Sequence, residues 1–429
     1  MRIAHRYYDC SPRIVRAKKK TTITIKPLFD HRKFHDDISY QIGLIPMLGV
    51  PGTTRQTDFQ RTPVTPKDNA ITVTLDFDAE QEYTLLLEQG DGKVVGEFVL
   101  YALNQDLFEL RPYKGDTHMH TNYSDGKESP AFVAASCRKI GLDFAAITDH
   151  HRYAPSLEAM AAFSDVDIDL RLYPGEEVHP PSNPVHIVNF GGSFSVNDLF
   201  KTPQYEEQVA ELEKTLTFVP EGPARRIYAS CVWSFEKIRE AGGLAIFPHP
   251  YWVYGYKFDV PEQITDLLFE HQPYDALELI GGFHVWQAES NMLQVARYHE
   301  ERAKGKTIPI VGATDSHGCE QADLFGWYHT IVFAKSADLN DLIEAIRGLN
   351  SVAVEALPNE RVRAFGPFRL VCYAQFLLRE IFPFHDELCL EEGRLMLNYA
   401  AGDKRAAEAL SKLKGRVEKL YDKMWGCDS

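Results

Sequence analysis

Hydrophobic and polar positions alternate with a period of two over the first quarter of the chain. "TTITIKPLF" (21–29), "AITVTLDFD" (70–78), "EYTLLLEQ" (82–89) and "KVVGEFVLYAL" (93–103) set β-branched or aromatic residues between polar ones, with turn clusters such as "EQGDGK" between them. No helix-period segment interrupts them, and "IPMLGVPGTTRQTDFQRTPVTPKDN" (45–69), rich in Pro, Gly and Thr, predicts long loops. Residues 1–110 are therefore expected to form a small all-β, sandwich-like domain.

From about 112 the rhythm becomes short apolar runs alternating with segments of helical period. "SPAFVAASCRKIG" leads to "LDFAAITDH", "SFEKIREAG" to "GLAIFPHP", and "YDALELIGG", "AESNMLQVARYHEERAKG", "TIPIVGATDSHG", "HTIVFAKS" and "LNDLIEAIRGL" continue the cadence. This predicts an α/β unit over 111–350, with an insertion at about 191–232 placed to act as a lid or shape specificity. Parallel strands in a barrel would bring their polar C-terminal ends to one face.

After 350 the pattern is less regular until two helices. "DELCLEEGRLMLNYAAG" ends at Gly402, and a second helix opens at Asp403 with a stripe of Leu410, Leu413, Val417, Leu420 and Met424. Residues 351–429 read as a mainly helical extension, whose stripe docks on the body or on a second copy. A homo-oligomer could form through it or through the β domain.

The chain has 429 residues, of which 44% are hydrophobic and 25% charged, so it is a soluble globular protein of more than one structural unit. A net charge of −15 disfavours long nucleic acid and anionic membrane surfaces as partners, and an anionic substrate would need local positive charge. Seven scattered cysteines without a CxxC pair suggest neither a disulfide framework nor a thiolate zinc site. With no apolar run of bilayer length and no secretory leader pattern at the N-terminus, a cytoplasmic setting is expected.

The chemistry collects at the ends of the apolar runs. "GDTHMH" holds His118 and His120 two apart, on one side of an extended segment, with Asp125 in the following "SDG". "AAITDHH" carries Asp149, His150 and His151, and "LYPGEEVH" carries Glu176, Glu177 and His179. His186 in "NPVHIVNFGG", His249 in "AIFPHP", and Asp315 and His317 in "IVGATDSHG" complete the series. A single histidine at a strand end is more often packing than a ligand, and Asp125, Asp149 or Asp315 alone could serve a turn or cap. Agreement among all the ends points instead to a metal centre. A His/Asp/Glu set without Cys suits Zn²⁺, Mn²⁺ or Fe²⁺, and this many ligands exceeds one tetrahedron.

In this order the motifs resemble the PHP (polymerase and histidinol phosphatase) superfamily of metal-dependent phosphoesterases, whose fold is a distorted (β/α)7 barrel. The resemblance covers roughly 112–350: "DTHMHTNYSDG" for its HxH…SDG opening, then "ITDH", "GEE", "VHIVNFG", "PHP" and "TDSH". It implies one metal on His118, His120, Glu177 and Asp315, a second on Glu177, His186 and His249, and a third, where present, on Asp125, His150 and His317. Glu177 fills the GxE position and Glu176 is the alternative. Many members continue "TDHD", where this chain has His151.

The resemblance implies hydrolysis of a phosphoester by a metal-activated hydroxide at a di- or trinuclear centre, with His118, His120, Glu177 and Asp315 at its heart and a small phosphorylated metabolite or nucleotide as substrate. Lys127, Arg152, His151 and Tyr251 are the expected substrate contacts, with Arg297 a further cation. His151, His179 and His284 are positional candidates for a general acid, each more commonly an ordinary histidine. In "HPYWVYGY" an aromatic could stack on a base or sugar, or pack under a lid. Two other readings stay open: a nuclease or exonuclease on short ends, and a metal-containing carbohydrate- or ligand-binding module without turnover.

Overall fold

The computed structural model describes residues 3–49, 59–90, 92–284, 287–320 and 324–427; part of the expected 45–69 loop region, 50–58, lies outside them. Two compact units result: Met1–Arg111 with Val371–His385 and Gly415–Ser429, and Pro112–Leu370 with Asp386–Lys414.

In the first unit the period-two segments form strands as their alternation requires. Ile71–Phe77 buries Ile71, Val73, Leu75 and Phe77 and exposes the residues between them. It pairs antiparallel with Lys19–Pro27, which pairs with Tyr8–Ser11. A second sheet runs in the order Ile14–Arg16, Val94–Leu103, Gln81–Gln89, Tyr40–Pro46, Arg61–Val64. Side chains from both sheets, among them Ile23, Val73, Leu85 and Phe98, share one core.

The second unit is mixed α/β, with a six-stranded and a five-stranded sheet. Phe144–Ala146 lies parallel to both Arg111–Asp116 and Arg171–Tyr173, and Leu244–Phe247, Ala276–Gly281 and Ile310–Ala313 are parallel neighbours. Phe144–Ala146, Leu244–Phe247, Ala276–Gly281 and Ile310–Ala313 are buried on both faces, which explains why their runs are apolar except at Glu278. The βα repetition is not uniform, however. Gly175–Val178 and Ile187–Phe190 form an antiparallel hairpin, and Ile187–Phe190 is antiparallel to Leu244–Phe247. The connection over 179–186 is too short for a parallel crossover, which needs about a dozen residues. Ser351–Glu355 is likewise antiparallel to both of its neighbours, Tyr328–Ala334 and Arg363–Phe365.

The insertion is packed, not loose: helices Val196–Leu199, Pro203–Thr215 and Pro223–Glu240 bury Tyr205, Val209, Tyr228 and Trp233 in the core.

The C-terminal region differs most from expectation. It contains an additional helix, Phe368–Glu380, and its residues divide between the two units. Glu380 explains part of this: its carboxylate and carbonyl both accept from the buried guanidinium of Arg13, each at 2.8 Å. In the second unit, Arg138 Nε donates to Glu392 at 2.8 Å, likewise buried. The expected single helix after Asp403 is two, Ala406–Leu413 and Arg416–Trp425, because Gly415 between them takes a left-handed φ of +74°. Asp403 accepts from the Arg405 amide just before the first of these. All seven cysteines are free. Among the described residues no helix is long and apolar enough to cross a membrane.

Candidate metal centre

The ligand-bearing segments are joined to one another by backbone pairing beyond the ends of the strands. Met119 bridges Ser316 and His150 bridges Glu177 in parallel register. The His120 amide donates to Ser316 O at 2.9 Å, Asp315 to His118 O at 2.8 Å, and His151 to Glu177 O at 3.1 Å. Buried carboxylates reinforce this frame. Asp116 accepts from the His118 and Thr314 amides, both at 3.1 Å, and from the Thr314 hydroxyl. Asp149, a strand-end acid in "ITDH", accepts from the amides and hydroxyls of Thr121 and Ser124 and so holds the loop that carries Asp125. His151, His249 and Asp315 all have positive φ (58°, 28° and 49°), a strained conformation that is often found at functional sites.

The nine side chains singled out by the motif order come together in four overlapping groups, within each of which the candidate ligand atoms lie within 4.8 Å of one another. The groups are His118, His120 and Asp315; His118, Glu177 and His249; His120, Asp125, His150 and His317; and His150, Glu177, His179 and His186. His249 thus lies with His118, and His186 lies with His150 and His179. Glu177 is at the centre and fully buried. Its Oε1 lies 3.6 Å from His118 Nε2, 2.8 Å from His186 Nδ1 and 3.4 Å from His249 Nε2. Its Oε2 lies 3.7 Å from His120 Nε2 and 3.3 Å from His179 Nε2, and it touches His150 Nδ1.

Glu176 turns the other way. Its carboxylate accepts from Ser195 Oγ at 2.8 Å, the Val196 amide at 2.5 Å, and Asn197 and Asn189 at 2.9 and 3.3 Å. Successive side chains on a strand point to opposite faces, which separates the two glutamates.

Both oxygens of Glu177, Nε2 of His118 and Nδ1 of His186 are buried without a hydrogen-bond partner. Leaving a carboxylate in that state costs several kcal/mol unless positive charge meets it. Burial alone would raise the pKa of Glu177, but His186, His150 and His118 more than reverse that and hold it well below the carboxylate range. Burial presses His120 down to about 4 against the pull of Asp315, which leaves the neutral imidazole that a cation requires. His150 behaves oppositely: burial disfavours its charge, yet Glu177 and Asp125 hold it up at about 10. Orphaned inward-facing donors of hard and borderline type, with no thiolate, fit divalent cations.

Two further residues support the centre. Glu278, in the apolar run "ALELIGG", lies 2.9 Å by Oε2 from His118 Nδ1. An acid inside a buried strand was the available signal. His179, one of the strand-end residues but in none of the ligand sets that the resemblance implies, sits in a ligand group.

Above the centre opens a pocket of about 830 Å³, lined by His151, Arg152, Trp252 and His284 among others. Of the insertion, Lys201 reaches its rim. Other expected contacts lie elsewhere. Lys127 is exposed and does not line the pocket. Tyr251 is buried with its ring edge-on to Phe258 at 5.2 Å, and Trp252 takes the position at the pocket, 5.9 Å from the His186 ring. Arg297 is held by Asp266 at 2.7 Å and Glu301 at 3.0 Å, so it serves the scaffold.

No family model matches the chain. It is 39% identical over 66 residues to the DNA polymerase/3'-5' exonuclease PolX of Bacillus subtilis, a stretch that is 15% of this chain and 12% of that one. An uncharacterized protein of Methanocaldococcus jannaschii is 24% identical over 182 residues, covering 40% of this chain and 83% of the relative. Among solved structures, a two-domain protein of Bacteroides vulgatus containing a predicted PHP-like metal-dependent phosphoesterase superposes with a TM-score of 0.40 at 17% identity, over 57% of this chain and 65% of that one. This chain thus spans less than two thirds of both PolX and the Bacteroides protein. The order of the motifs over 112–350 resembles that of the PHP superfamily, and their side chains are gathered beneath one pocket.

Proposed function

We propose that the protein is a metal-dependent phosphoesterase acting on a small phosphorylated metabolite or nucleotide. The observation that carries this is Glu177: a fully buried carboxylate, its oxygens without hydrogen-bond partners, faced by imidazoles at the floor of an open pocket. Two or three divalent cations would be held by His118, His120, Asp125, His150, Glu177, His186, His249, Asp315 and His317. When bound, such ions lower the pKa of water and offset phosphoryl charge.

The chain's own residues supply the rest. Arg152 puts positive charge at the pocket of a protein whose net charge is −15, and Lys201, whose Nζ lies 2.6 Å from Asp198 Oδ1, lines the same pocket, which favours an anionic substrate despite the acidic surface. Asp116, Asp149 and Glu278 orient the ligands, and Trp252 offers a flat apolar wall for whatever the phosphate is attached to. We read the two sheets of the second unit as arcs of a distorted barrel, and residues 1–110 as an accessory β domain. The free cysteines suit a reducing compartment such as the cytoplasm.

The stretch shared with a 3'-5' exonuclease favours a second reading, removal of nucleotides from short nucleic-acid ends. One experiment addresses both. Metal content of the purified protein is measured, followed by turnover with Mn²⁺ or Zn²⁺ on p-nitrophenyl phosphate, bis-p-nitrophenyl phosphate, mononucleotides and short oligonucleotides. Full turnover by Asp315→Ala would overturn the assigned centre, and cleavage of oligonucleotides alone would favour the second reading.

A further inference from the structure

His150 faces two ways. Its Nε2 lies 3.5 Å from Asp125 Oδ2, in the group with His317 and His120, while its Nδ1 lies 2.9 Å from His179 Nε2 and touches Glu177 Oε2. A neutral imidazole has one lone pair, on one nitrogen, so His150 serves a single cation at a time. If it serves the position beside Asp125, as the motif order implies, Glu177 Oε2 loses an imidazole on its other side.

His179 is placed to supply it. Its Nε2 lies 3.3 Å from Glu177 Oε2, its ring centroid is 4.0 Å from that of His186, and its ligand atom falls within the group of His150, Glu177 and His186. The residue is held from behind: Asn197 Oδ1 accepts from its amide at 3.1 Å, and Asn197 Nδ2 donates to Glu177 O at 2.9 Å. One asparagine therefore sets the spacing of Glu177 and His179 on their strand end. The two side chains are two apart and lie on the same side of an extended segment, as His118 and His120 do.

We propose that His179 is a tenth metal ligand, binding through Nε2 with Glu177 and His186 and leaving His150 to the cation at Asp125 and His317. This rests on the metal-centre reading above. It implies that the "GEEVH" segment is itself a two-ligand element, with the form Glu-x-His.

The test is metal stoichiometry and cobalt spectroscopy of the full chain, neither of which needs a substrate. Wild type, His179→Ala and His151→Ala are stripped with chelator and reloaded with Co²⁺. His151 is the control because its ring lies 4.2 Å from that of His179, tilted by 44°, but belongs to none of the four groups. The expected result is that His179→Ala retains one ion fewer after desalting, or binds it at least about tenfold more weakly, with altered visible absorption that added imidazole restores. His151→Ala should match wild type. A His179→Ala protein with the wild-type complement and spectrum overturns the proposal while leaving the metal centre intact. A wild type that takes up no Co²⁺, Zn²⁺ or Mn²⁺ overturns both. Should His179→Ala fail to fold, as judged by near-ultraviolet circular dichroism without metal, His179→Gln carries the same two outcomes.

Discussion

His118 Nδ1 lies 2.9 Å from Glu278 Oε2, and both residues are fully buried. That contact fixes which nitrogen of His118 is turned toward Glu177 and Asp315, and a carboxylate behind an imidazole raises its basicity as a ligand. Glu278→Gln should therefore weaken cation binding about 10–100-fold while changing thermal stability little. Competition with a fluorescent chelator measures it, and unchanged affinity would mean that the contact does not orient a ligand.

The adjacent glutamates should separate cleanly. Glu177→Gln should lose most bound metal, because the surrounding imidazoles lose the one carboxylate they share. Glu176→Gln should keep the metal and lose about 1–3 kcal/mol of stability, since its contacts to Ser195, Val196, Asn197 and Asn189 are structural. Metal analysis combined with urea unfolding distinguishes the two, and the reverse pattern would assign Glu176 to the centre.

Metal binding should expel protons. Despite burial, Glu177 and Asp125 keep His150 at about 10, and Asp125 and Asp315 raise His317, so both favour the charged form without metal. Ligation needs the neutral ring. A folded pKa above the free value means that the proton is lost only as pH rises toward about 10, so apparent affinity should climb across that window. Calorimetric Zn²⁺ titrations at pH 8 in buffers of different ionisation enthalpy should show about one or more protons released per chain; buffer-independent heats would contradict this.

Acid should also act at His329, which belongs to none of the metal-ligand groups. Burial, aided by Lys114, depresses His329 to about 3. The unfolded chain, with a pKa of about 6.5, then binds a proton that the folded one refuses. This contribution is complete above about pH 6.5 and is lost as pH falls toward 3, at up to about 1.4 kcal/mol per unit. Urea midpoints at pH 7 and 5 in chelator should show that share of the loss disappearing in His329→Phe. An identical pH slope in the variant would locate the acid sensitivity elsewhere.

At the pocket rim, Arg152→Ala and Lys201→Ala should each raise KM for a phosphomonoester about tenfold with a smaller effect on kcat, the signature of lost uniform binding. Steady-state kinetics checks this, and a purely kcat effect would move these residues from binding to chemistry.

Much of the centre was legible from local chemistry. His118 and His120, Asp125, Glu177 and the Asp315–His317 pair are close in sequence or sit in recognisable motifs, and their residue types alone exclude a thiolate site. Lys201, Glu278 and the choice of Trp252 among the aromatics of "HPYWVYGY" were not legible. Which of Tyr251 and Trp252 faces the pocket depends on the turn at which the Trp252 amide donates to His249 O at 3.1 Å. Lys201 depends on how the insertion packs, and the break at Gly415 depends on a left-handed residue inside an apolar stripe that reads as continuous.

The sequence by itself determined the period of each segment, the inventory of ligands and their order, because alternation and residue chemistry are properties of neighbours along the chain. Only the tertiary structure decided that Glu177 faces the histidines while Glu176 does not, that His150 looks toward two groups, and that the hairpin at 175–190 runs antiparallel. Those depend on strand register and on hydrogen bonds between segments far apart in the chain, such as the Thr314 amide donating to the Asp116 carboxylate 198 residues away, and no local pattern encodes them.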